Sequence, residues 1–277
     1  MTIKEALTTG TAAIGRRDTE QLLSHITNQN LSGIILNSNQ PLGEPAIGAF
    51  FAAIERRKAK EPLQYILGTW EFMGLAIKTD PRALIPRPET ELLVEEAVTY
   101  IRQTKSTRVL DLCTGTGCIA IAIAKLTNAQ VTAADISPAA LTLAKENAAL
   151  HGLTGKINFA QSDLFEALTG HTYNVIISNP PYIPTNDLQG LQPEIRAHEP
   201  MLALDGGPDG MDIYRRLVPR SLDFLAPGGV LFLEIGPPAV EAIMISAGYD
   251  IVTMKKDYAG HDRILIGGKP CSTVYKS

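Results

Sequence analysis

Cysteine is scarce in this chain of 277 residues: Cys113, Cys118 and Cys271 make no Cys-x-x-Cys pair and no cluster with the five histidines. That scarcity excludes a disulfide framework and gives no support to a zinc site, so reduced thiols and no metal are expected. No stretch approaches the roughly 20 apolar residues that a bilayer crossing needs, and residues 1–5 hold no apolar leader. A cytoplasmic protein with no membrane partner is the expectation. Positive charge is not in excess: charged residues make up 19 % and the formal net charge is -4. That balance argues against a protein held mainly by nucleic-acid phosphates, and no stable nucleic-acid binding is expected. Internal repeats and low-complexity segments are missing as well.

What the chain does hold is ample apolar material, 45 % of its residues, and length for one large domain and one smaller. Over residues 1–73, Ala6, Leu7, Ala13 and Ile14, then Leu22, Leu23 and Ile26, then Phe50, Phe51 and Ile54 recur at helical spacing. Asp, Asn, Gly and Pro punctuate these runs, which predicts a small helical domain. Residues 74–88 are predicted to be a linker with a β-hairpin, since Ile85-Pro86-Arg87-Pro88-Glu89 cannot be regular helix. Residues 89–277 form the larger domain. Helical spacing returns over 89–103, and strand candidates follow at 108–112, 131–134, 157–160, 175–178 and 230–235, with helical stretches between most of them. Such alternation implies βαβ units and a mostly parallel sheet covered on both faces. The last two strand candidates, 250–254 and 263–266, are joined by a link too short for a crossover helix and should be antiparallel. Residues 269–277 read as a frayed tail.

Chemistry-bearing residues stand at the ends of these strands. Residues 109–112 run into Cys113, Thr114, Gly115, Thr116 and Gly117, and then into a helical run. A strand, a glycine turn and a helix N-terminus set backbone N–H groups against a ligand, and the two glycines let it approach where a Cβ would collide, although glycine turns also occur for purely steric reasons. Asp135 ends the next strand, where a carboxylate can accept both hydroxyls of a ribose; Ser137 and Pro138 already start the following helix, which leaves Asp135 free. Asp163 and Leu164 close the third strand, where a carboxylate could meet an adenine amino group and an apolar side chain could flank the ring; a turn or cap is the rival role for Asp163. The fourth strand delivers Asn179-Pro180-Pro181-Tyr182. Prolines fix φ and cannot continue a ladder, so the chain leaves the sheet as a stiff loop. Such a loop can aim the Asn179 carboxamide and the Pro180 carbonyl at a planar NH2 group, with Tyr182 beside it and little ordering entropy left to lose. Two adenosine-containing cofactors suit the glycine loop, because Ala120 at the third fingerprint position is also permitted in dinucleotide folds. The antiparallel last strands and the amide-gripping loop favour S-adenosylmethionine.

Those two motifs together resemble a class I S-adenosylmethionine-dependent methyltransferase that acts on amino groups. Further segments narrow the likeness: Glu61-Pro62-Leu63-Gln64-Tyr65, the run from Leu84 to Glu91, Glu199-Pro200, the run from Ala203 to Gly210, and Glu234-Ile235-Gly236. With these, nearly the whole chain is similar to the bacterial release-factor glutamine methyltransferase family (PrmC/HemK). The resemblance implies a Rossmann-like α/β sheet, mostly parallel with an antiparallel last strand, behind a helical domain that docks the protein substrate. It implies methyl transfer to the glutamine of the Gly-Gly-Gln motif of class 1 peptide chain release factors, with S-adenosyl-L-homocysteine as product; a monomer is expected. Carried over, Cys113, Thr114, Gly115, Thr116 and Gly117 line the methionine and ribose portions, Asp135 holds the ribose, and Asp163 and Leu164 border the adenine. Asn179, Pro180, Pro181 and Tyr182 grip the acceptor glutamine, Asn179 beside the cofactor as well. Cys113 departs from the glycine common among relatives. Arg87 and Glu89 either border the acceptor pocket or form an ion-paired linker, and the basic run Arg56-Arg57-Lys58-Ala59-Lys60 either suits a helix end or docks a partner. A DNA or RNA amino-methyltransferase, which shares the Asn-Pro-Pro-Tyr motif, and a nicotinamide-linked oxidoreductase are the alternatives.

Overall fold

The structure, a computed structural model, describes residues 1–236 and 239–271. Part of the tail predicted over 269–277, residues 272–277, therefore lies outside the described residues.

Helices α1 (Ile3–Ile14), α2 (Arg16–Thr27), α3 (Leu31–Leu36), α4 (Glu44–Lys58) and α5 (Leu63–Leu67) make up one compact unit, Met1–Thr69, to which the later segment Gln192–His198 also belongs. The first helix starts on a capping box, with Glu5 N donating to Thr2 Oγ1 (3.2 Å) and Thr2 N donating to Glu5 Oε2 (2.8 Å). Their apolar faces meet around Ile3, Leu23, Ile34, Phe50 and Ile54. The basic run at the end of α4 is matched by acids of the same unit: Arg56 pairs with Glu61 (2.5 Å), Lys58 with Glu55 (2.9 Å), and Arg57 with both Asp18 (2.6 Å) and Glu194 (3.1 Å). These cations sit at a helix C-terminus, where the dipole favours them, and are spoken for locally.

The second unit begins with a hairpin of β1 (Thr69–Phe72) and β2 (Leu75–Lys78). It starts earlier than the 74–88 span read from the sequence. Met73 (φ 53°) and Gly74 (φ 72°) are both left-handed, as a two-residue turn that matches strand twist requires. Methionine is a poor signal for that turn; here its N–H is held by Glu91 Oε1 (2.6 Å).

There follow α6 (Pro88–Thr104), β3 (Arg108–Leu112), α7 (Cys118–Leu126), β4 (Gln130–Asp135), α8 (Pro138–Leu150), β5 (Ile157–Gln161), β6 (Tyr173–Ser178), α9 (Pro193–His198, in the first unit), α10 (Asp212–Phe224), β7 (Leu225–Glu234), α11 (Val240–Ala247), β8 (Ile251–Lys256) and β9 (Asp262–Gly268). The seven strands order as β5-β4-β3-β6-β7-β9-β8, parallel except that β9 runs against both β7 and β8. Strand periodicity explains the two buried faces. Val109, Val131, Val175, Ile177 and Phe232 join Leu93, Val94 and Ile119 on one side, while Leu110, Leu112, Ile176 and Leu231 meet Tyr214, Leu217 and Val240 on the other.

Register levels the strand ends: Leu112 lies beside Ala134 and Ser178, and Asp135 beside Gln161. From β3 the chain winds outward to β4 and β5, then returns past β3 to β6. The crevice beyond the carboxyl ends of β3 and β6 is thus the place where an open α/β sheet receives its ligand.

Candidate active site

A cavity of about 270 Å³ opens at that crevice. Cys113, Thr114, Gly115, Thr116, Asp135, Asp163, Leu164, Asn179 and Pro181 all line it, so residues from four strand ends converge on one space. Gly117, Pro180 and Tyr182 are not among its lining residues, and neither is Glu89; Arg82, Arg87, Thr90 and Arg216 are.

The glycine loop is tightly folded. Cys113 (φ 59°), Gly115 (φ 55°) and Gly117 (φ 80°) all adopt left-handed backbone. Gly117 serves packing, contrary to the expectation that both glycines clear space for a cofactor. A Cβ there would stand 2.9 Å from the Ala144 Cβ and 3.2 Å from its Cα, so the missing side chain lets α7 and α8 approach. At Gly115 the same atom would find only the Ala83 Cβ, 3.9 Å away, which leaves a true cradle facing the cavity.

Beneath the loop lies Asp111, a residue that sequence reasoning passed over although a carboxylate inside Val109-Leu110-Asp111-Leu112 is an anomaly in a buried strand. Its Oδ2 accepts from Thr114 Oγ1 (2.5 Å) and Ala120 N (3.1 Å), while Oδ1, fully buried, has no partner among the described residues. Burial pushes its pKa up to about 7, against the two hydrogen bonds. The bare cradle at Gly115, with Asp135 and Asp163 on the walls of the same cavity, suits a ligand that joins an adenosine to a cationic aminoacyl sulfonium. With 3.8 as the ordinary value for Asp111, the folded chain keeps a proton between about pH 4 and 7 that the unfolded chain has released. The group's contribution is therefore complete at low pH and lost as pH rises through about 7. Asp111→Asn preserves the acceptor oxygen, so urea unfolding of the ligand-free protein is expected to show the variant gaining about 2 kcal/mol over its parent at pH 8 relative to pH 5; a pH-independent difference would contradict this.

Cys113 carries a Cβ where the backbone is left-handed, at a cost of roughly 1–2 kcal/mol. Burial and the nearby Asp135 both push its thiol upward, so it is inert as a thiolate. Cys113→Gly exchanges that strain for roughly 0.4–1 kcal/mol of extra unfolded-chain entropy. The variant is expected to match or exceed the parent in thermal unfolding, whereas Cys113→Val should lose stability. Leu164 (φ 50°) repeats the same strain across the cavity.

Asp135 is not left free as the capping of α8 suggested. Ser137 Oγ does cap, accepting from Ala140 N (3.2 Å), but the carboxylate of Asp135 also accepts from Ser137 N (2.9 Å) and Gly115 N (2.9 Å). It ties the glycine loop to the next helix. Asp163 similarly accepts from Arg216 Nη2 (2.7 Å). Each carboxylate oxygen retains further lone-pair capacity for ligand hydroxyl or amino groups.

At the end of β6 the Asn179 carboxamide donates from Nδ2 to Thr90 Oγ1 (3.1 Å), and Thr90 Oγ1 donates to Glu234 Oε2 (2.6 Å). Tyr182 OH reaches toward Glu234 Oε1 (3.5 Å), and burial beside that carboxyl pushes the phenol up to about 12. The loop is held by Ile183 N donating to Leu204 O (3.0 Å) and Gly206 N to Ile183 O (2.9 Å). A Cβ on Gly206 would come within 2.7 Å of the Tyr182 Cα, which accounts for the glycine in the 203–210 run. Arg87 both lines the cavity and pairs with buried Glu199 (2.5 Å), whose other oxygen accepts from Ile85 N (3.1 Å).

Comparison with known proteins gives the family of the chain. Residues 88–195 match the Methyltransferase small domain and residues 3–68 the PrmC N-terminal domain. The chain is 43 % identical to a release factor glutamine methyltransferase of Geobacter sulfurreducens, over 92 % of this chain and 89 % of that one. It is 40 % identical to one of Deinococcus radiodurans, over 96 % and 98 %. Among solved structures, a Thermus thermophilus 16S rRNA methyltransferase in complex with AdoMet and guanosine shares the fold (TM-score 0.54, 21 % identity, 73 % of this chain and 49 % of that one). So does a methyltransferase from Pyrococcus furiosus (TM-score 0.52, 18 % identity, 82 % and 100 %). The chain is therefore an S-adenosylmethionine-dependent methyltransferase and belongs to the release factor glutamine methyltransferase family.

Proposed function

We propose that the chain methylates the side-chain amide nitrogen of the glutamine in the Gly-Gly-Gln motif of class 1 peptide chain release factors, with Asn179 and Pro180 gripping that amide. The observation that carries this is the Asn179 carboxamide on the cavity wall, one strand away from the glycine loop and anchored through its nitrogen so that its oxygen is the end left for a ligand. The cofactor, when bound, supplies an electrophilic methyl group on a sulfonium. Gly115 with Cys113, Thr114 and Thr116 would cradle its methionine end, Asp135 its ribose, and Asp163 with Leu164 its adenine.

An amide nitrogen is a weak nucleophile because its lone pair is delocalised into the carbonyl. Asn179 Oδ1 and the Pro180 carbonyl accept its two N–H bonds and turn the lone pair toward the methyl carbon. Such positioning can supply ~7–11 kcal/mol of barrier reduction. As positive charge grows on the substrate nitrogen, both acceptors would bind its N–H groups more strongly in the transition state, and the amide proton released would pass to solvent. Tyr182, packed behind the loop, stiffens it.

In this reading the helical unit, residues 1–69 with 192–198, docks the protein substrate, and the sheet unit carries the chemistry. A net charge of -4 fits a monomeric cytoplasmic enzyme that recognises protein rather than nucleic acid. Tritiated S-adenosylmethionine and a release factor are expected to give label in the factor, lost when its Gly-Gly-Gln glutamine is replaced by alanine. Equal labelling of the replaced factor would overturn the assignment.

A further inference from the structure

We propose that Thr90, oriented by Glu234, is a positioning residue that fixes which end of the Asn179 carboxamide meets the substrate. The inference rests on the amide-clamp reading above and goes further by explaining how the clamp is aimed.

A carboxamide is a two-ended group: one end accepts and the other donates, and nothing in the side chain's own shape prefers either orientation. Asn179 would be useless as an acceptor for a glutamine NH2 if it presented its own NH2. The deciding contact is a hydroxyl with a single proton. Thr90 Oγ1 spends that proton on Glu234 Oε2 (2.6 Å), so toward Asn179 it can only accept, and Nδ2 must face it (3.1 Å). A flipped Asn179 would set Oδ1 against Oγ1 with no proton between them. Oδ1 accepts no hydrogen bond from the described residues, and Asn179 lines the cavity.

The polarity of this chain is set from its far end. Glu234 closes β7 and is 1 % exposed, and Thr90, in the first turn of α6, is 3 % exposed. Water is therefore poorly placed to substitute for either partner. In its ionised form Glu234 accepts at both oxygens, from Thr90 Oγ1 at Oε2 (2.6 Å) and from Tyr182 OH at Oε1 (3.5 Å), so the polarity runs one way. Three segments far apart in sequence, α6, the loop after β6 and the end of β7, thus combine to orient one amide.

The test is a double-mutant cycle on the full-length enzyme, read as the single-turnover methylation rate of a release factor with saturating S-adenosylmethionine. Thr90→Val, which keeps the shape and deletes the hydroxyl, is expected to slow the rate by about 10- to 100-fold with cofactor affinity near the parent's, and to lower the unfolding midpoint without abolishing folding, because buried Glu234 Oε2 loses its donor. Thr90→Ser should recover the rate to within about threefold. In an Asn179→Ala background Thr90→Val should change the rate less than about twofold, because the group it aims is gone. A Thr90→Val enzyme at parental rate beside a crippled Asn179→Ala would overturn this inference alone, as would equal slowing in both backgrounds. A parental rate for Asn179→Ala would overturn the clamp reading beneath it.

Discussion

Asn179→Ala is expected to slow single-turnover methylation by about 100- to 1,000-fold while S-adenosylmethionine binding, followed by calorimetry, stays within about threefold of the parent. The magnitude is that of removing one preorganised group from a transition state, about 2.7–4 kcal/mol. It falls on the chemical step because the Asn179 oxygen gains strength only as charge accumulates on the substrate nitrogen. The structure gives two reasons to expect little collateral damage. Among the described residues the side chain donates only one intramolecular bond, to Thr90, and the loop's backbone is fixed independently by Ile183, Leu204 and Gly206. A variant that lost cofactor affinity and rate in parallel would make Asn179 a cofactor ligand rather than an acceptor clamp; one with an unchanged rate would remove it from the chemistry.

Gly117→Ala should have the largest effect on stability. Two costs coincide: left-handed backbone at φ 80° with a Cβ, and an atom forced to 2.9 Å from the Ala144 Cβ between two packed helices. Strain of roughly 1–2 kcal/mol and overpacking of roughly 1–3 kcal/mol sum to about 2–5 kcal/mol, which should appear as a clear fall in the unfolding midpoint. Gly115→Ala bears only the backbone cost, since its Cβ meets open space, and should weaken cofactor binding more than stability. If the two variants exchanged these signatures, Gly117 would be the cradle and Gly115 the spacer.

The alternation of strands and helices was plain in the sequence because both faces of the sheet are buried, so β-branched runs such as Val175-Ile176-Ile177 stand out. The short link between the last strands also led directly to their antiparallel pairing. The cavity-lining positions were legible where residue type and position coincide at a strand end, as at Asp135 and Asn179. What stayed hidden depends on contacts distant in sequence. Ser137 as a cap suggested an idle Asp135, because nothing local reveals that Gly115 N–H points at it. Gly117 looked like its neighbour Gly115 until α8 was in place. Thr90 sits inside a run already noted for Arg87 and Glu89, yet its partners are 89 and 144 residues away. Met73 hid a hairpin turn that asparagine would have announced.

The bond from Arg57 to Glu194 carries a topological consequence. Because Gln192–His198 belongs to the helical unit, that unit is assembled from two stretches of chain, and the sheet's sequence is interrupted by a borrowed insert. A truncation after residue 69 would deprive one fragment of α9 and burden the other with a stub whose Glu194 has lost its Arg57 partner. Dissecting the protein into independent halves therefore calls for excision at two places and a graft, not a single scission.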